Sequence, residues 1–227
     1  MATPRSQRIV IWVIAIVMMI GTLGSFFVMI LSSQNQKNDE LKYQKLLKDY
    51  QTKVDTQTKT LSDKYYTEFN QYSTIPAAFA PGDIKELVKN DLKIGDGDEI
   101  KLIKEEKASD GTVLNIYTEY SAYYIGWNPK GIVFDQSISN SALIAPYPGG
   151  GTQNNIISGW QEGVVGMKIG GVRELTIPSD KAYGATAKSE DIPANTPLKF
   201  IIMLVPRATD VPMTDDLKNY LLENNTQ

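Results

Sequence analysis

The chain has 227 residues, 42% of them apolar, with a net charge of −3 and a sequence pI near 5.1. That length suits one ordinary domain with appendages, and without a basic surplus to neutralise phosphates no nucleic-acid partner is expected. Cysteine and histidine are both absent, which excludes disulfides, thiol nucleophiles, histidine-dependent triads and most zinc or iron sites. No metal and no cofactor is expected. Any enzyme built from this composition works with carboxylates, hydroxyls, lysines, or no proton transfer at all.

The first element is an uncharged run of 23 residues, 9–31 (IVIWVIAIVMMIGTLGSFFVMIL). As a helix rising about 1.5 Å per residue it would cover roughly 35 Å, enough to cross a ~30 Å hydrocarbon layer with some tilt. The run is therefore expected to be a transmembrane anchor, with residues 1–8 as a cytoplasmic tail. A cleaved signal peptide is the competing reading, and Thr22-Leu23-Gly24 could serve as its cleavage site, but Phe26 to Leu31 would then stay apolar on the mature end. Arg5, Arg8 and the terminal amine favour an inside N-terminus, although Lys37, Lys42, Lys45 and Lys48 blur that bias. The expected localisation is a single-pass membrane protein, N-terminus inside, with its globular domain extracytoplasmic.

Residues 32–75 are polar and contain neither glycine nor proline. Tyr43, Leu47, Tyr50, Val54 and Leu61 keep a 4-3-4-7 spacing, close to a heptad with Gln57 at the missing position. A helical stalk or weak coiled coil is expected, with self-association as one consequence and a solvated single helix as the alternative. Ile75-Pro76 and Pro81-Gly82 then mark a boundary.

From residue 83 onward the composition becomes that of a mostly β domain. Asp83 to Leu92 reads as a short helix or turn. Residues 113–124, 172–177 and 198–205 are β-branched, aromatic and apolar, and are predicted as strands. Between them Ser158 to Met167 is predicted as one short helix with Ser158 as its N-cap. Strands with a single short helix give an antiparallel α+β domain. The tail, 210–227, carries a small amphipathic helix with Thr214 as its cap and Leu217 and Leu221 on one side. Gly149-Gly150-Gly151 lacks the Lys-Ser/Thr that a phosphate loop needs, so it reads as a flexible loop. Asp135 read alone is a turn aspartate, and Trp160 read alone is a core tryptophan.

Several short segments recur in a fixed order from Tyr123 to Val205. They are Tyr123-Tyr124-Ile125-Gly126-Trp127, Gly131 to Ser137 (GIVFDQS), Ile156 to Val164 (IISGWQEGV), Met167 to Gly171, Leu175-Thr176-Ile177-Pro178, Ala182-Tyr183-Gly184-Ala185 and Ile192 to Phe200 (IPANTPLKF). In this order and spacing the stretch resembles the FKBP family of peptidyl-prolyl isomerases. Asp91 to Gly95 is similar to that family's first strand, which places the domain at 83–209. The resemblance implies an α+β, FKBP-like antiparallel half-barrel wrapped around one short helix, here preceded by the transmembrane helix and the helical stalk, as in a membrane-anchored bacterial form.

The resemblance also implies a site. Tyr124, Asp135, Tyr183 and Phe200 would be the catalytic group, with the Tyr124 phenol on the Asp135 carboxylate. Phe134, Ile156, Ile157, Trp160 and Ile192 would bind substrate, with Trp160 as the floor. The Ile157 N–H and the Tyr183 phenol would meet ligand carbonyls. Ile125 stands where the family usually has threonine, and Lys188 lies on a variable loop. The segment Ser141 to Asn155 aligns poorly, leaving Tyr147 and Leu143 as candidates for one aromatic wall position. The implied partners are proline-containing polypeptides and rapamycin-type macrolides, with the membrane held through the N-terminal helix. The implied activity is prolyl cis/trans isomerisation of extracytoplasmic proteins. A non-catalytic FKBP-like chaperone or binding module is the alternative, and a stalk protein capped by a globular domain is a third.

That chemistry suits a chain without histidine or thiol. An X-Pro bond exchanges over tens to hundreds of seconds because amide resonance must be broken. Catalysis therefore needs stabilisation of a twisted amide, not a nucleophile or a proton shuttle.

Overall fold

The computed structural model describes residues 34–82, 84–107, 113–151 and 156–224. They fall into two compact units, one of residues 62–208 and one of residues 34–61 with 209–224.

In chain order the elements are α1 (Gln34–Asn70), β1 (Val88–Lys93), β2 (Leu102–Lys107), β3 (Val113–Trp127), β4 (Val133–Gln136), β5 (Ile138–Ser139), β6 (Ala142–Leu143), β7 (Tyr147–Gly151), α2 (Ser158–Val164), β8 (Val172–Ile177), a 3₁₀ turn (Ser179–Lys181), β9 (Leu198–Val205) and α3 (Asp215–Asn224). Seven strands make one antiparallel sheet in the order β1-β8-β9-β3-β2, with β4 and β7 also paired to β3. β5 and β6 form a separate small ribbon. The α+β, antiparallel expectation agrees with this architecture.

β9 reads LKFIIMLV without alternation because the sheet is covered on both faces. Leu198, Phe200, Ile202 and Leu204 face the cluster under α2, together with Trp160 and Val164. Ile201, Met203 and Val205 face the other side, with Tyr123, Ile125 and Trp127 of β3. There the end of α1 supplies the cover. Phe69 is completely buried, Tyr65 and Tyr66 pack beside it, and the Ser62 hydroxyl accepts the Leu143 N–H at 2.9 Å.

The unit of residues 34–61 and 209–224 has its own packing. Tyr43 is buried and stacks on Tyr220 of α3, ring centroids 4.1 Å apart. Gln57 donates to the Thr209 carbonyl at 2.6 Å. Thr214 caps α3 as expected, accepting the Leu217 N–H on its hydroxyl at 3.3 Å. The heptad face of α1 is therefore partly occupied within this chain.

Some expectations are corrected. The spanning helix expected over 9–31 lies outside the described residues. Among the described residues no helix is long and apolar enough to cross a membrane, and the expectation of a single-pass, N-terminus-inside protein with an extracytoplasmic domain is corrected on that finding. α1 has the length, but Lys42, Lys45, Lys48, Asp49, Lys53 and Asp55 lie along it. Each such charge would cost about 2.5–3.5 kcal/mol at a bilayer centre. Residues 88–93 form an edge strand stapled to β8 by the Asp91–Arg173 ion pair, which replaces the helix or turn expected over 83–92 and agrees with the first strand that the resemblance implies at Asp91. Ser158 is the first residue of α2 and Ile157 is its N-cap, without a side-chain capping bond. Gly149 to Gly151 belong to strand β7, not to a flexible loop.

Candidate active site

The site grows from the inner face of β3. Side chains two apart share a strand face, so Tyr120, Ala122 and Tyr124 all point toward α2 and join its cluster. The Tyr124 backbone is fixed twice by Ser137, whose hydroxyl accepts the Tyr124 N–H at 2.9 Å and whose N–H donates to the Tyr124 carbonyl at 2.8 Å. That pairing sets the register Gly126↔Asp135 and brings the Asp135 carboxylate under the Tyr124 phenol. The phenol donates to it at 2.5 Å, and both residues are 6% exposed.

Around this pair the rings meet edge to face, the geometry their quadrupoles favour. Trp160, on the first turn of α2, lies 5.2 Å from Tyr124 and 5.3 Å from Phe200 between centroids. Phe134 meets Phe200 at 5.6 Å and 81°. This close pair needs Gly126, since a Cβ there would sit 2.5 Å from Phe200 Cε1 and 2.8 Å from Phe134 Cζ. Ile192 is buried in the same cluster, and Ile156, Ile157 and Tyr183 are partly buried against it.

All nine residues singled out in the sequence thus converge. Tyr124, Trp160, Ile192 and Phe200 form the floor and buried wall, and Phe134, Ile156, Ile157 and Tyr183 pack around them. Asp135 sits on the strand that pairs beside them. The Ile157 carbonyl accepts the Trp160 N–H at 3.0 Å, which ties the rim residue to the floor. Tyr183 follows the 3₁₀ turn, with the Lys188 ammonium 5.4 Å from its ring centroid. The loop beyond is pinned by Asn128, whose amide donates to the Asp191 carbonyl at 2.8 Å. Among the described residues no group of acidic side chains could hold a metal.

Two further residues belong to the site, one already a candidate and one not singled out. Tyr147 is the wall residue left open between Tyr147 and Leu143, because its ring meets Tyr124 at 6.2 Å and 89° and Trp160 at 6.2 Å. Leu143 packs on the opposite face of the sheet. Tyr120 is the other, with its hydroxyl accepting the Trp160 indole N–H at 3.1 Å. Burial pushes the Tyr120 phenol well above its ordinary pKa, so it stays neutral. Its period-two spacing from Tyr124 was the signal available.

Residues 104–205 match the family model described as FKBP-type peptidyl-prolyl cis-trans isomerase. The chain is 39% identical over 87 residues to a protein of Neisseria meningitidis named FK506-binding protein, covering 38% of this chain and 77% of that one. It is 34% identical over 116 residues to a Corynebacterium glutamicum protein named "Probable FK506-binding protein", covering 51% of this chain and 93% of that one. A Rhizopus delemar protein named FK506-binding protein 4 is 35% identical over 104 residues, 46% of this chain but 26% of the fungal one. The chain therefore spans about a quarter of that fungal relative's length.

Proposed function

The chain belongs to the FKBP-type peptidyl-prolyl cis-trans isomerase family, and from that premise we propose that it isomerises X-Pro bonds of polypeptides in the aromatic pocket between β3, β9 and α2. The observation that carries the reading is the buried Tyr124–Asp135 pair inside a box of Trp160, Phe200, Phe134 and Tyr147 rings. We take the isomerase domain as 83–209, with Tyr65, Phe69 and Phe79 from the preceding segment packed on its outer face.

In this reading the prolyl ring lies on the Trp160 indole, between Tyr124, Phe134, Ile192 and Phe200. The Ile157 N–H and the Tyr183 hydroxyl take the flanking carbonyls. The planar amide is the more charge-separated state, so removing its carbonyl from water penalises it more than the twisted state. A gain of about 10⁵ in rate needs roughly 7 kcal/mol. One neutral hydrogen bond contributes about 0.5–1.5 kcal/mol, so Tyr183 supplies a minor share and the dry, shaped pocket supplies the rest. No proton moves, which suits a chain without histidine.

The relatives' names attach FK506 to those proteins, and a macrolide of that type is the proposed inhibitor here. Titrating the intact chain with FK506 while following tryptophan fluorescence tests the pocket, with Trp127→Phe as the control that keeps most of the signal. Saturable quenching together with loss of tetrapeptide isomerisation is the expected result. Binding without any isomerase activity in the untreated chain would reduce the protein to a binding module.

A further inference from the structure

Tyr120 leaves β3 on the same face as Tyr124, four residues earlier. Its side chain is 1% exposed, so it cannot touch a substrate. It touches the floor instead. Its hydroxyl oxygen accepts the Trp160 indole N–H at 3.1 Å, and a buried indole N–H left without an acceptor is costly. On the other side Tyr120 pairs with Gly149 across β3 and β7. A Cβ at 149 would lie 2.2 Å from Tyr120 Cε2 and 2.3 Å from Cζ, so the ring occupies the space that the glycine leaves.

We propose that Tyr120 is a positioning residue of the isomerase site, its phenol oxygen fixing the rotation of the Trp160 indole while Gly149 leaves room for the phenol ring. The inference rests on the proposed function, because a floor has to be held still only for something that packs on it. Among its ring neighbours, Tyr124 and Phe200 meet Trp160 edge to face and Tyr147 meets it tilted at 55°, contacts that define distance more than rotation. The hydrogen bond to Tyr120 is the directional contact. A loosely held floor lowers complementarity to the twisted amide, although no reacting atom has been touched.

The test uses the intact chain and its Tyr120→Phe, Trp160→Phe and doubly substituted forms. Tetrapeptide isomerisation and the ¹⁵N-indole resonances are measured on each. Tyr120→Phe is expected to lower kcat/KM about two- to tenfold, the range one neutral hydrogen bond spans. It should shift the Trp160 indole N–H resonance and speed its solvent exchange, while the Trp127 indole, held by the Ala77 carbonyl at 3.1 Å, stays put. In the Trp160→Phe background there is no N–H to hold, so Tyr120→Phe should cost nothing further. Gly149→Ala, which presses on the ring from the other side, should move the same indole resonance. An active chain whose Tyr120→Phe form keeps both its kcat/KM and its indole resonance overturns the inference alone. So does an equal loss in the two backgrounds. A wild-type chain without isomerase activity overturns the proposed function first, and the positioning role with it.

Discussion

The Tyr124 phenol donates to the Asp135 carboxylate at 2.5 Å, and Gly126, two residues beyond Tyr124, is the strand partner of Asp135. One register therefore fixes both ends of the hydrogen bond. Asp135→Val strands a buried phenol and reshapes the wall, so kcat/KM should fall by about one to two decades, the equivalent of ~1–3 kcal/mol. Asp135→Asn keeps an acceptor oxygen and should recover part of that loss. A tetrapeptide assay beside circular dichroism separates lost chemistry from lost fold.

Tyr183 offers a milder test. Tyr183→Phe keeps the ring and removes one hydroxyl, so the expected loss in kcat/KM is tenfold or less, about 1.4 kcal/mol at most. The pH profile of the intact chain should be nearly flat between about pH 6 and 8.5, because there is no histidine to titrate and no step needs a base. A bell-shaped profile would point to an acid–base mechanism elsewhere.

Stability should depend on alkaline pH. Burial raises the phenol pKa of both Tyr120 and Tyr123 in the fold. Below about pH 10 these phenols are neutral whether folded or unfolded, so their contribution is fully present. Above that the unfolded chain loses its phenolic protons first, and stability falls by up to ~1.4 kcal/mol per pH unit for each phenol until the folded-state pKa is reached. The Tyr123 hydroxyl is buried beside Tyr65 and Phe69 with no hydrogen-bond partner among the described residues. Tyr123→Phe should therefore raise stability at neutral pH by about 1 kcal/mol and flatten the alkaline limb, as read from denaturant midpoints across pH.

The end of α1 should behave as part of the fold. Phe69 is fully buried against Tyr123, Ile125 and Met203, so Phe69→Ala should cost about 3–5 kcal/mol. The kcat/KM per folded molecule should stay unchanged, since Phe69 lies across the sheet from the pocket. By the same argument a fragment starting at 76 should be less stable than one starting at 62. Guanidinium unfolding of the two fragments checks it.

Much of this was legible in the residues. The runs 172–177 and 198–205 are the strands β8 and β9 with the same boundaries, because β9 is an apolar run covered on both faces and β8 alternates buried Leu175 and Ile177 with half-buried Glu174 and Thr176. The nine pocket residues came from ordered short motifs, and they converge because those motifs sit on β3, β4, β9 and α2 and on the loops that join them. β1 is legible only through the resemblance, at Asp91 to Gly95, and not from its residues alone, since VKNDLK is an exposed edge strand held by pairing and by the Asp91–Arg173 ion pair, both tertiary effects. Gly149 was misread for a related reason. Its flexibility in isolation says nothing about the Tyr120 ring that needs its missing Cβ. The Phe69 cover is not legible in the stalk spacing, which continues from Leu61 to Lys64 and Glu68 and not to Tyr65 and Phe69.

The central claim, that this aromatic pocket turns over X-Pro bonds, is tested most directly by measuring prolyl isomerisation of a tetrapeptide by the intact chain beside its Trp160→Leu and Asp135→Val forms. Trp160→Leu keeps bulk where Trp160→Ala could cost ~3–5 kcal/mol of stability and confuse inactivity with unfolding. The account predicts clear catalysis by the wild type and a loss of about tenfold or more in each folded variant. An inactive wild type, or full activity in both variants, would contradict it.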